Sequence, residues 1–247
     1  MKNNLAKFFK LISKDLFLFR TSVYLIGDIV LKASKFLLIP FYTRFFSVEE
    51  YGILQQIVVV SALVGFFIDF ASKQSLLKLY YDYRENNREK ELVTVIFISI
   101  SLLSLLTLAI LFLLKYLGLT IINGEDYYWY LLYIIGYSFF ISIAYLGITL
   151  FRVLNKVVSY SLVNIVFTIF ELGLIIYFVK FLSLGIIGRF EASFFVSILL
   201  FSFMFLIILR SYYSVRINLG DFKRVLKFSL PLTINNFLGW LFVSIDL

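Results

Sequence analysis

The sequence predicts an all-α, polytopic membrane protein, and three observations carry that prediction. Of 247 residues, 62% are hydrophobic and only 15% are charged, whereas a soluble domain is roughly 45–50% apolar and about 25% charged. Apolar stretches long enough to cross a hydrocarbon core of about 30 Å as helices recur along the whole chain. Lys and Arg are also shared unequally between alternate connections. Seventeen of the 23 lie before the first span or in and beside the connections after spans two, four and six, four lie in or beside the others, and Lys32 and Lys35 lie inside span one. Positive connections stay in the cytoplasm, so the N-terminus is expected there. The formal charge of +8 is then a topological signal and calls for no nucleic acid.

Taken in order, residues 1–21 form a basic N-terminus. Leu5, Phe8, Ile12, Leu16 and Phe19 recur at helical spacing while Lys7, Lys10 and Lys14 share another face. That pattern fits an amphipathic helix on the membrane surface and equally a basic flank that fixes orientation; the two are compatible. The first hydrophobic segment is too long for a cleavable signal and has no small-residue cleavage site after it. Six spans come next, at about 22–43, 53–71, 92–114, 127–151, 160–179 and 187–209, which make one lobe, 22–209. Ser72–Glu91, with Tyr80, Tyr81, Tyr83, Arg84 and Arg88, reads as an interfacial loop. A cytoplasmic linker, 210–226, precedes a seventh span at 227–247. Asp221 is placed to cap a short basic helix, and Pro231 falls early in the seventh span, where proline costs least. The chain reaches Leu247 with no closing loop or basic flank after it, so it is expected to be a fragment whose second half is missing.

The informative residues are those that sit badly in lipid. Asp28, Lys32 and Lys35 fall at i, i+4 and i+7 of span one, and Tyr24 and Tyr42 extend the stripe. An unpaired Asp or Lys at a helix centre costs about 2.5–3.5 kcal/mol, so the stripe should face protein, water or a charged ligand. Span five repeats the arrangement with Ser161, Asn164, Thr168 and Glu171, and span four with Ser138, Ser142, Tyr145 and Thr149. Polar stripes on several helices describe a wet interior, and intramembrane ionisable groups point to a pathway or binding site. Blander readings stand beside this one. Asp28 and Lys32 suit an i,i+4 ion pair. Ser and Thr stripes more often serve helix packing. Asp69, Arg189 and Glu191 lie near span ends, where snorkelling to the interface is the simpler reading. Glu171 and Lys35 are the least well served by such accounts, and a pair between them across the cavity is one arrangement. Surplus Lys in a hydrated cavity suits phosphate or pyrophosphate. The candidate cavity residues are therefore Asp28, Lys32, Lys35, Asn164 and Glu171, and the candidates for coupling to Na+ or H+ are Asp28, Asp69 and Glu171.

The chain has no Cys and no His. This excludes zinc sites built on those ligands, thiol nucleophiles, Ser-His-Asp triads and His-ligated haem, and leaves proton chemistry to Asp, Glu, Lys and Tyr. No catalytic set, metal site or cofactor is expected. A membrane polymerase or glycosyltransferase would carry a sizeable polar outer loop, whereas Asn123–Asp126 reads as a turn and Glu49 and Glu50 as the start of a capped helix.

The segment YLIGDIVLKASKFLLIPFYTRFFSVEEYGILQ, Tyr24 to Gln55, resembles the opening of bacterial polysaccharide-export flippases of the Wzx type. The likeness rests on a first helix ending in a proline and on the TRFFSVEEYG turn. FRVLNKVVSYSLVNIV (Phe151 to Val166), SLGIIGRFEASFFVS (Ser183 to Ser197) and KRVLKFSLPLTINNFLGWLFVSIDL (Lys223 to Leu247) resemble that family's later landmarks in order. The family belongs to the multidrug/oligosaccharidyl-lipid/polysaccharide exporter superfamily. The resemblance implies a MATE-like fold, with this chain supplying the six-helix N-terminal lobe and the start of a seventh helix. It implies flipping of undecaprenyl-pyrophosphate-linked oligosaccharide across the bacterial inner membrane for a surface polysaccharide such as O-antigen or capsule. Lys32 and Lys35 would meet the pyrophosphate, and the partners would be the missing C-terminal lobe, membrane lipids and other polysaccharide-assembly proteins. The alternatives are a Na+- or H+-coupled small-molecule exporter of the same superfamily and a purely structural subunit.

Overall fold

The computed structural model describes residues 2–117 and 127–245, with the side chains of residues 2–17, 19, 20, 35, 127, 128 and 243–245 outside the described set. Eight α-helices succeed one another: α1 (Lys2–Phe45), α2 (Val48–Asp69), α3 (Ser72–Glu85), α4 (Glu89–Tyr116), α5 (Tyr127–Val153), α6 (Val157–Ile176), α7 (Gly185–Tyr212) and α8 (Leu219–Ile245). A π-helical turn, Tyr177–Phe181, extends α6. Five helical stretches, containing α2, α4, α5, α6 and α7, are long and apolar enough to cross a membrane. The 44 residues of α1 are long enough as well, but they include the three charges of the predicted stripe. Among the described residues there is no strand. The Asn123–Asp126 turn lies outside the described residues.

Local chemistry accounts for the helix boundaries. Ser47 ends the α1–α2 turn with a capping box: its hydroxyl accepts from the Glu50 N–H, and the Glu50 carboxylate accepts from the Ser47 N–H. That satisfies two donors that a helix start leaves orphaned, and it is the physical content of the SVEEYG motif. Phe70 and Ala71 take left-handed conformations (φ 45° and 50°), which separates α2 from α3 at a cost of roughly 1–2 kcal/mol per residue. The Ser72 hydroxyl donates to Asp69 (2.7 Å) and braces this bend.

Four expectations are corrected. Ser72–Glu91 is not a loop: Leu76, Leu79, Tyr80 and Tyr83 recur at helical spacing and are buried, so α3 packs against α4, α5 and α8. Pro40 does not end the first helix, which runs through it to Phe45, continuous with the residues expected to form a separate surface helix. Finally, α8 begins at Leu219, ahead of the expected Lys227, so Pro231 lies in its interior. The cap there is Asn218, whose side-chain oxygen accepts from the Gly220 N–H (3.0 Å). Asp221 does not cap. Its buried carboxylate accepts from the Tyr83 hydroxyl and from Arg88, each at 2.7 Å.

Helix α5 is central and packs on α2, α3, α4, α6 and α7, while α1 leans chiefly on α6. Lipid offers no hydrophobic drive between helices, so close approach through small residues is what holds them. At Gly147 a Cβ would stand 2.8 Å from the Met204 Cβ of α7. The outward faces carry exposed Leu102, Leu105 and Leu106 on α4 and Leu162, Val166 and Ile169 on α6, a surface suited to acyl chains.

The bundle has two chemically different ends. One gathers α3 and the starts of α4 and α8. Here Arg88 bridges Asp221 and Glu91, Arg224 pairs with Asp82 at 2.8 Å, the Tyr81 hydroxyl reaches the Val153 carbonyl, and the buried Ser75 and Ser229 hydroxyls share a hydrogen bond. The hydrogen bond to Glu91 raises the Arg88 pKa further above its ordinary value. The opposite end gathers the α1–α2 turn with the starts of α5 and α7, where Tyr130 meets Phe190 edge to face.

Gly147→Ala should force α5 and α7 apart and cost about 1–3 kcal/mol, read as a lower thermal midpoint of the purified protein. Gly173→Ala, with nothing within 4 Å of the added methyl, should leave that midpoint unchanged or raise it.

Candidate functional site

Five helices line an open cavity of ≈ 500 Å3. Its α1 wall is Leu31, Ser34, Leu38 and Tyr42, which recur at i, i+3, i+7 and i+11 and so share one face. Tyr51 and Gln55 come from α2, Tyr137 and Tyr145 from α5, Thr168 and Glu171 from α6 and Arg189 from α7. The polar stripes on spans four and five thus converge in part on one space.

An ion pair sits at its wall. Arg189 Nη1 lies 3.9 Å from Glu171 Oε1. Ser193, one turn along α7 from Arg189, accepts from the guanidinium and donates its hydroxyl to Glu171. A charge at the centre of a spanning helix costs about 2.5–3.5 kcal/mol, and less near its ends; facing each other across a hydroxyl, Glu171 and Arg189 offset part of that cost. The Tyr42 hydroxyl, close to both, is buried without a hydrogen-bond partner of normal geometry. The cavity wall therefore presents an anion, a cation and phenol groups within an apolar shell.

The predicted residues divide. Glu171 lines this cavity. Asn164 is buried, donates to the Tyr160 carbonyl (2.9 Å) and lines a smaller space of ≈ 50 Å3 behind Glu171, between α5, α6 and α7. Ser161 is a packing residue, donating to the Val23 carbonyl of α1 beside Gly27, where an added Cβ would stand 3.4 Å from the Ser161 hydroxyl. Asp69 is engaged at the α2–α3 bend, with Ser72 and with Lys73 at 3.9 Å, and does not line the cavity. Asp28 and Lys32 are exposed, and no ion pair joins them to each other. The Lys35 side chain lies outside the described residues.

The expected stripe also splits. Tyr24 packs on Tyr160 and Tyr42 is buried on the cavity side, whereas Asp28 and Lys32 turn outward. Each four-residue step advances about 40° around a helix of 3.6 residues per turn, so Lys32 ends roughly 80° from Tyr24 and leaves its face. Among the described residues nothing covers the α1 flank that carries Asp28 and Lys32.

Two cations were missed at the sequence level. Arg189, expected to snorkel outward, turns inward to Glu171. The available signal was its i,i+4 spacing to Ser193 together with an intramembrane Glu on the preceding span. Lys73, assigned to a loop, holds its ammonium 5.0 Å from the centre of the Tyr145 ring, near the cavity wall; that placement depends on the bend at Phe70–Ala71 and had no sequence signal. Among the described residues no group of three or more Asp or Glu gathers to hold a metal ion.

The profile of one protein family, polysaccharide biosynthesis protein, matches residues 18–247. A comparison with curated proteins finds no match. Solved structures of similar fold include a MATE protein in complex with MaL6, with a TM-score of 0.64, 17% identity, and coverage of 89% of this chain and 51% of that one. A mutant of the Vibrio cholerae MATE transporter VcmN has a TM-score of 0.61 and 18% identity, covering 92% of this chain and 54% of that one. A MOP superfamily transporter from Pyrococcus furiosus has a TM-score of 0.59 and 17% identity, covering 89% and 51%. The chain spans about half the length of these solved relatives, and the likeness is one of fold.

Glu171→Gln and Arg189→Gln should each lower the thermal midpoint by leaving the other charge uncompensated, and the double variant should recover part of the loss. A double-mutant cycle on the purified protein should give a coupling of about 0.5–3 kcal/mol.

Proposed function

The chain belongs to the polysaccharide biosynthesis protein family, and we propose that it is the N-terminal lobe of a flippase that moves a lipid-linked oligosaccharide across the bacterial inner membrane. It is a multi-pass membrane protein with a MATE-like helical fold. In this reading residues 22–209 are the lobe, 210–226 link it to a second lobe, and 227–247 begin that lobe. Helix α8 extends into the linker from Leu219. The N-terminus is cytoplasmic, so the end rich in Arg88, Arg224 and Lys73 faces the cytoplasm.

One observation carries the reading: among the described residues, the α1 flank with Asp28 and Lys32 is left open. Two uncovered charges against acyl chains would together cost several kcal/mol, at about 2.5–3.5 kcal/mol each. Water and a second lobe across a cleft remove that cost, and alternating access in transporters built from repeats rocks one such unit against the other around a site near mid-membrane. Lys32 and Lys35, as compact positive charges, then meet the pyrophosphate that joins the sugar to its isoprenoid carrier. Asp28 limits the surplus positive charge, so the passenger is released rather than trapped. The Glu171–Arg189 pair and Asn164 lie deeper in the lobe and hold the shape of its interior.

A second reading, a small-molecule exporter coupled to Na+ or H+, is favoured by one feature: Glu171 is an ionisable carboxylate at the wall of the inner cavity. Glu171 is then the coupling group, while Asp69, held at the α2–α3 bend, is less suited. Neither reading assigns a catalytic residue.

In a complete transporter carrying this lobe, Lys32→Ala combined with Lys35→Ala should reduce surface polysaccharide at least ten-fold at unchanged protein level, measured on extracted polysaccharide. Normal polysaccharide would remove these lysines from the mechanism. Normal polysaccharide on loss of the whole gene, with sensitivity to cationic drugs, would favour the exporter.

A further inference from the structure

At the end of the molecule opposite α3, a crevice of ≈ 600 Å3 lies between the last turns of α1 and the π-helical turn after α6. Its walls are Pro40, Phe41, Phe45 and Ile176, and its polar groups are Arg44 and Lys180. Cations are scarce at this end. The others assigned to it are Lys115 and Arg189, and Arg189 is already held by Glu171. Among the described residues neither Arg44 nor Lys180 joins an ion pair. Glu50, a nearby acid, is committed to the Ser47 N–H at 2.8 Å.

The backbone helps to place Lys180. The wide turn is closed by the Leu182 N–H donating to the Tyr177 carbonyl (3.1 Å), and such π-helical turns, each one residue wider than an α-helical turn, recur at functional sites. Lys180 Nζ stands 5.4 Å from the centre of the Phe181 ring, a contact that leaves its charge uncompensated, and an anion in the crevice would meet both cations. The remaining walls are apolar and aromatic, so a small hydrated anion would leave most of the crevice unmatched. We infer that the crevice binds the phosphate of a membrane amphiphile, with Arg44 and Lys180 on the phosphate and Phe41, Phe45 and Ile176 along the first carbons of its chain. Arg supplies a planar fork for phosphate oxygens and Lys a mobile point charge. This inference stands apart from the cargo of the central cleft and does not rest on it. The amphiphile is either a resident anionic phospholipid or an isoprenoid phosphate.

The test is native mass spectrometry of the purified chain in zwitterionic phosphatidylcholine, titrated separately with phosphatidylglycerol, a polyprenyl phosphate and inorganic pyrophosphate. At least one of the two net-anionic lipids should bind in preference to phosphatidylcholine, whose phosphate is balanced by its own choline. Arg44→Gln with Lys180→Gln should weaken that binding ten-fold or more. Arg44→Lys with Lys180→Arg should retain most of it, and Arg210→Gln, an exposed cation at the other end, should change nothing. Both crevice side chains are exposed, so the fold should survive their replacement, as gel-filtration position will show. Preference for phosphatidylglycerol identifies a resident lipid, and preference for the polyprenyl phosphate identifies an isoprenoid carrier. No preference over phosphatidylcholine, equal binding by the double Gln variant, or inorganic pyrophosphate binding as tightly as the lipids would overturn the inference.

Discussion

A charge that cannot find a partner or water does not stay in hydrocarbon, and the architecture of this chain reflects how each intramembrane charge meets that constraint. Glu171 and Arg189 meet it within the lobe, across the Ser193 hydroxyl. Asp69 meets it at the bend after α2, with Ser72 and Lys73. Among the described residues Asp28 and Lys32 find no such partner: they are exposed on a flank of α1. In the flippase reading proposed above, such a helix is a boundary element between this lobe and a second one.

The rest of the bundle makes that boundary firm. The close approach of α5 to α7 at Gly147 and Met204 gives a rigid centre, and α1 is held to it through α6, with Ser161 and Gly27 allowing near contact. At the basic end, Tyr83, Arg88 and Asp221 tie the start of α8 to α3 and α4, and Arg224 adds Asp82. The start of α8 therefore has a fixed attachment.

Much of this was legible in the sequence because lipid simplifies the code. Five of the expected spans could be read from apolar length, a capped helix start from Glu49 and Glu50, and the stripe with Thr168 and Glu171 from its spacing. What was not legible depended on tertiary geometry. Arg189 stands only four residues into α7, where outward snorkelling and inward pairing look alike until the position of Glu171 is known. Helix α3 was obscured by its charged residues, since the buried stripe of Leu76, Leu79, Tyr80 and Tyr83 has value only against α4, α5 and α8. The rotation of Lys32 away from Tyr24 is the drift of 3.6 residues per turn against a four-residue repeat, small at each step and decisive over two turns. Asp221 looked like a cap because its position allows one; Asn218 took that role, and the carboxylate was left for Tyr83 and Arg88.

In the proposed flippase the Asp28–Lys32 flank of α1 borders water within the membrane. The chain has no cysteine, so Asp28→Cys and Lys32→Cys each introduce a single thiol into this lobe. Both should be placed, one at a time, in the complete transporter freed of other cysteines, with Leu106→Cys on the outward face of α4 as the lipid control. In intact membranes a charged, water-soluble methanethiosulfonate should modify the thiols at 28 and 32 much faster than the one at 106. Modification as slow as at position 106 would place the flank against acyl chains and contradict the account.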